Sequence, residues 1–175
     1  MALTGDRTFV GFGFGAIQAG LFLYEAYRSG GFGRLVVGGL HPERVDDLRR
    51  AQGWYSLNIA HADRIEAANV GPVEIGSLAA DTERLVDAVA HAHEISTAVP
   101  SVSEYVAPGH KSIHRLLAQG LRRKAAARGP RAVIYAAENH NHAAEILEAA
   151  IFEEIPAAEQ ASVRERVCFL NTVIG

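Results

Sequence analysis

Apolar and polar positions along this chain fall into two alternating periods. Residues 8–12 form a short apolar run that closes on glycine, as a buried strand would. From 16 to 28 the spacing becomes helical, with Ile17, Leu21 and Tyr24 four and three apart, until Ser29, Gly30 and Gly31 stop it. Leu35, Val36 and Val37 make a second apolar run between glycines. Pro42 suits the first turn of a helix over 43–52, and Glu43 sits favourably beside the positive end of its dipole. Residues 54–77 mix Val and Ile with a Gly71-Pro72 turn signal and predict short strands, open to antiparallel pairing. A helix follows from 81 with Leu85, Val86 and Val89, then a strand over 94–99 that Pro100 ends. The spacing of Ile113, Leu116, Leu117 and Leu121 predicts a long helix over 110–127. Residues 132–137 are wholly apolar; helices over 143–153 and 157–166 and a strand at 167–171 complete the pattern.

Strands alternating with helices of this length imply a mostly parallel sheet covered on both faces, a doubly wound α/β fold. Continuous apolar strands such as 132–137 agree, because strands inside a parallel sheet are buried on both sides. With 175 residues and no repeat, low-complexity tract or linker, residues 1–175 are expected to form a single domain.

Composition narrows the function. The net charge of −3 provides no overall basic field for nucleic acid or an anionic membrane. The basic cluster Arg122, Arg123, Lys124, Arg128 and Arg131 reads as the wet end of a helix, where cations complement the dipole. One cysteine, Cys168, excludes intramolecular disulfides and cysteine-rich zinc sites, and its apolar strand marks it as a small buried residue. The pairs His91/His93 and His140/His142 stand two apart, pointing about 200° away from each other on a helix, so no metal site is expected. No apolar stretch reaches the roughly 20 residues a bilayer needs, and Asp6 and Arg7 spoil the N-terminus as a signal peptide. The expected location is the cytoplasm.

The chemistry concentrates where the first strand ends. Phe12-Gly13-Phe14-Gly15-Ala16-Ile17-Gln18 lies between a predicted strand and a helix, the setting in which a glycine-rich turn binds the pyrophosphate of a dinucleotide. Gly13 would allow the tight turn and Gly15 the close approach of the ligand, while Gln18 takes the place of the usual third glycine. A second frame, Gly11-x-Gly13-x-x-Ala16, fits as well. The ribose-binding acid expected at the end of the second strand is missing, since Gly38 and Gly39 stand there. Without it a 2′-phosphate meets no repulsion, and His41 or Arg44 can pair with one, so both NAD and NADP are candidate cofactors. Two further strand ends face the same crevice. Thr97, Ala98 and Val99 are placed to line a nicotinamide; Glu138 and Asn139 are placed for an amide, with an N-cap role for Asn139 or Asn141 as the structural alternative.

Taken in order, residues 12–20, Thr97-Ala98-Val99, Ala137-Glu138-Asn139 and Asn171-Thr172-Val173-Ile174 resemble the N-terminal domain of the mannitol dehydrogenase family, whose turn reads F-G-A-G-x-I-x-x-G. The resemblance implies a Rossmann-type dinucleotide-binding fold and an NAD(P)-dependent oxidoreductase acting on a polyol or polyol phosphate. It also implies a second, mostly helical domain that carries a K-x4-N-x2-H catalytic motif. That motif is not found here: His110, Lys111, His114, Lys124 and His140 do not reproduce its spacing. The short-chain Tyr-x-x-x-Lys pair is missing too, since Lys111 follows Tyr105 by six residues. Gly175 stands where the family continues with aspartate. The chain is therefore expected to bind dinucleotide, to lack the catalytic domain, and to turn over little polyol unless a second domain completes it. A bare surface left by such a domain would make a homodimer plausible. The competing expectations are a stand-alone dinucleotide-binding or sensing module and, more remotely, a Rossmann enzyme acting on another nucleotide.

Overall fold

The computed structural model describes residues 3–108 and 112–172. Its strands are β1 (Arg7–Phe12), β2 (Phe32–Gly39), β3 (Tyr55–Ala60), β4 (Ile65–Val70), β5 (Glu74–Ser77), β6 (Glu94–Thr97), β7 (Ala132–Ala136) and β8 (Val167–Asn171). Its α-helices are α1 (Tyr24–Ser29), α2 (Pro42–Arg50), α3 (Thr82–His91), α4 (Ile113–Ala126), α5 (Ala143–Glu153) and α6 (Ala157–Arg164). A π-helical segment, Gln18–Leu23, leads into α1, and Val102–Val106 is a 3-10 turn.

Six strands pair in parallel in the order β5-β2-β1-β6-β7-β8. The chain winds outward from β1 to β5, returns to β6 beside β1, and winds outward again to β8. This is the doubly wound Rossmann arrangement, with its switch point between β1 and β6. The variable stretch splits in two: β3 and β4 form a separate antiparallel hairpin, while β5 joins the main sheet beside β2.

Alternation along the central strands divides the core. Val10, Phe12 and Val36 point to one face, against Leu85 of α3, Leu116 of α4 and Leu147 of α5. Phe9, Leu35 and Val37 point to the other, against Leu23, Tyr27, Val45 and Leu48. In an α-helix residues five apart point about 140° away from each other, whereas the i→i+5 bonds of a π-helix bring them to one side. That winding lets both Gln18 and Leu23 be fully buried.

Three expectations need correction. The sheet is not covered on both faces throughout, because α3 to α6 all pack on one side and α1, α2 and the hairpin reach only the β1, β2 and β5 half of the other. Along β7, Ala132, Ile134 and Ala136 are buried while Val133 and Tyr135 are half-buried. Cys168 is consequently exposed rather than buried, and Leu170 beyond it is 44% exposed. A groove of about 500 Å³, with Phe22 and Tyr135 in its walls, opens on this bare side. Finally, Lys124 does not belong to the wet helix end. Its ammonium is fully buried and donates to the Ala90 carbonyl at 3.1 Å and the Ala92 carbonyl at 2.5 Å, closing the C-terminus of α3. Arg122 and Arg123 do lie outside, paired with Glu159 and Glu83. No helix among the described residues is long and apolar enough to cross a membrane.

Candidate functional site

The turn after β1 is held from three sides. Gly13 has φ of +89°, its N–H donates to the Gly38 carbonyl at 2.9 Å, and a Cβ there would lie 2.5 Å from the Ala98 carbonyl oxygen. Only glycine fits between the ends of β2 and β6 in that conformation. Gly15 is different. A Cβ there would meet nothing within 4 Å, so packing does not call for glycine, and its open side faces a cavity. Phe14 lies between them, its carbonyl accepting from Arg44 Nη1 at 2.7 Å and its ring edge-on to Tyr55 at 5.4 Å. The Tyr55 hydroxyl donates to the Ala19 carbonyl at 2.7 Å, and burial pushes its pKa above the usual phenol range. The hairpin thus braces the turn and the helix start.

Two cavities meet at the carboxyl ends of the strands. One, of about 240 Å³, is lined by Gly13, Phe14, Gly15, Ala16 and Ile17 of the turn, by Leu40, His41 and Arg44 after β2, and by Ala98, Val99, Pro100 and Ala137 on the β6–β7 side. The other, of about 270 Å³, takes in Gly39, Leu40, His41 and Pro42 together with Ser77, Leu78 and Ala79 after β5, and Glu104 and Ala107 beside the 3-10 turn. They share Leu40, His41 and Pro100, so the crevice runs from β5 across β2 and β1 to β7.

Of the residues singled out in the sequence, Gly13, Phe14, Gly15, Ala16, Ile17, Gly39, His41, Arg44, Ala98 and Val99 come together on this crevice. Three others stand behind its wall. Gln18 is fully buried, accepts from the Ser96 hydroxyl at 2.9 Å and packs against Gly11, where a Cβ would lie 2.2 Å from its Nε2. Thr97 donates to Glu138 Oε2 at 3.0 Å, the Val99 N–H donates to Oε1 at 3.0 Å, and the Tyr105 hydroxyl donates to Oε2 as well. Burial and that carboxylate push the Tyr105 pKa above its ordinary value. The Glu138 side chain is therefore a buried knot joining β6, β7 and the 3-10 turn.

Asn139 is exposed and lines neither cavity. The start of α5 is not capped by Asn139 or Asn141: the His142 N–H donates to His140 Nδ1 at 3.1 Å, and the Ala144 N–H to Asn171 Oδ1 at 2.8 Å. Sequence reasoning missed Ser77, Leu78 and Ala79, although a strand end just before the helix at 81 was the signal for them. It also missed Tyr105 and Glu104, since nothing in local periodicity announces a 3-10 turn. Among the acid–base candidates, His114 and Lys124 are buried and line neither cavity, His140 is exposed, and His110 and Lys111 lie outside the described residues. No cluster of His, Cys, Asp or Glu able to hold a metal forms among the described residues.

Residues 7–175 match the family described as the mannitol dehydrogenase Rossmann domain. The chain belongs to this family. No curated protein matches its sequence. Among solved structures it is similar to Pseudomonas fluorescens mannitol 2-dehydrogenase in ternary complex with NAD and D-mannitol, with a TM-score of 0.71 at 16% identity. The match covers 97% of this chain and 42% of that one, so the chain spans less than half the length of that enzyme. At this identity the likeness is one of fold. Within this mannitol dehydrogenase domain the stretches that carried the sequence resemblance converge on neighbouring strand ends: 12–20 after β1, 97–99 after β6, 137–139 after β7, and Asn171 closing β8. Val173 and Ile174 lie outside the described residues.

Proposed function

We propose that this chain is the coenzyme-binding domain of an NAD(P)-dependent dehydrogenase of polyols or polyol phosphates. The observation that carries the reading is Gly15: a glycine that packing does not require, at the mouth of a cavity, between a strand end and a helix start. The residues fit a dinucleotide, with a backbone cradle at Gly13–Gly15 for its pyrophosphate, a largely apolar cavity on the β2–β5 side for its adenosine, and Ala98, Val99 and Ala137 on the far side for its nicotinamide. When bound, the coenzyme supplies the hydride acceptor or donor. Thr97 and Glu138 act from behind by fixing the Val99 backbone. In this reading the domain binds and orients coenzyme, and proton transfer to the substrate hydroxyl is supplied from elsewhere.

Calorimetric titration of the full chain with NADH and NADPH tests this. Saturable binding of at least one is expected. Gly15→Val should weaken it at least tenfold, about 1.4 kcal/mol, while moving the thermal midpoint little, because a Cβ at that position meets no neighbour within 4 Å and the added bulk occupies the cradle. Unaltered affinity in that variant would sink the assignment.

A further inference from the structure

We propose that the crevice selects a dinucleotide carrying a 2′-phosphate, and that Arg44 is the residue that pairs with it. The inference rests on the coenzyme-binding reading above. In folds of this class the discrimination is made after the strand beside β1: a carboxylate there accepts the ribose 2′-hydroxyl and repels a phosphate, whereas a nearby arginine accommodates one. That strand is β2, and it closes on Gly38 and Gly39. An acid at either position would have to displace a packed side chain. A Cβ on Gly38 would lie 2.9 Å from the Phe12 ring, and one on Gly39 would lie 2.6 Å from Val45 Cγ2 of α2. At Gly39 the close approach of α2 to the sheet thus disfavours a carboxylate.

The charges lining the crevice point the same way. Among the described residues lining the two cavities, His41 and Arg44 are the basic side chains and Glu104 is the acidic one. Glu104 comes from the 3-10 turn and lines the cavity at the β5 end; Arg44 lines the one that holds the glycine turn. On the same helix Arg49 pairs with Asp81 and Arg50 with Asp47. Arg44 has no acidic partner among the described residues, and its one hydrogen bond there runs from Nη1 to the Phe14 carbonyl. That bond anchors the guanidinium between the turn and the end of β2 and leaves its charge and its other N–H groups for a phosphate. The first turn of α2, whose N-cap His41 makes no capping bond, adds unpaired N–H groups at the same place.

The test compares four ligands on the full chain by calorimetry: NADPH, NADH, adenosine 2′,5′-bisphosphate and ADP. The last two lack the nicotinamide and so read the adenosine end alone. NADPH is expected to bind at least tenfold tighter than NADH, and the bisphosphate at least tenfold tighter than ADP. Arg44→Gln should bring both ratios below threefold, while Arg44→Lys, which keeps the charge, should retain the larger part. NADH binding as tightly as NADPH would overturn the selectivity and leave the coenzyme site standing. Undiminished ratios in Arg44→Gln would overturn the role of Arg44. Failure of all four ligands to bind would overturn the site itself.

Discussion

Lys124 carries a charge into the core, where its hydrogen-bond partners are the carbonyls of Ala90 and Ala92. Burial disfavours the ammonium and pulls its pKa from 10.5 down to about 8. The unfolded chain therefore holds more protons than the folded one between those two values, and stability contributed by this group rises with pH across that window. Below pH 8 both states are protonated and the penalty is constant. Urea unfolding should show the native protein gaining on the order of 1 kcal/mol relative to Lys124→Met between pH 8 and 9.5; parallel pH profiles for the two would refute the assignment. The sequence put Lys124 among four arginines on a wet helix end, because charge clusters are read from neighbours along the chain. What buries it is a contact with the end of α3, more than thirty residues away. Gln18 was opaque for a related reason. It reads as a departure from the third glycine of the turn, yet the space that glycine normally provides is supplied by Gly11 on the facing strand. The close approach of helix and strand survives with the small and large partners exchanged, a compensation that inspection of one position at a time does not reveal. Gly13 and Gly15, by contrast, were legible at once as a pair, and only packing separates the one the backbone needs from the one it does not.

Elements in the crevice are tied together by Glu138. Its two oxygens accept from Thr97 on β6, from the Val99 N–H beyond it, and from Tyr105 in the 3-10 turn. Removing the carboxylate takes the acceptor from three buried donors; the Thr97 and Tyr105 hydroxyls, 3.4 Å apart, can still pair with each other, and each donor left unsatisfied costs about 1–3 kcal/mol. Glu138→Ala should therefore destabilise the fold by about 3 kcal/mol or more in chemical denaturation, whereas Glu138→Gln, which keeps the volume and an acceptor, should lose less than half as much. Equal losses would argue that volume rather than hydrogen bonding matters there. Strands and helices themselves were legible, since period two or unbroken apolarity against a period near 3.6 is what local sequence encodes most directly: helix 143–153 and strand 167–171 coincide with α5 and β8. The stretch 54–77 was legible only as short strands, because its alternation does not say which strand pairs with which. The parallel partner of β5 is β2, some forty residues earlier, and that choice is made by tertiary packing.

For the whole molecule the telling asymmetry is in the sheet. All four helices after β5 lie on one side, so the outer strands β7 and β8 are walled by protein on that side and by solvent on the other. An apolar run was taken to imply burial on both faces, and it did so only for the central strands. The bare strip includes Cys168, the chain's one cysteine. Its thiol is thus a built-in gauge of occupancy. In this chain by itself a thiol-reactive chromophore should modify one sulfur per molecule under native conditions, about as fast as after unfolding. In any assembly that roofs the strip, the same sulfur should react at least tenfold more slowly. A native rate already far below the unfolded one would mean that the strip is closed by the chain's own copies, and the kinetics of a single atom would then report how this half of the sheet is shielded from water.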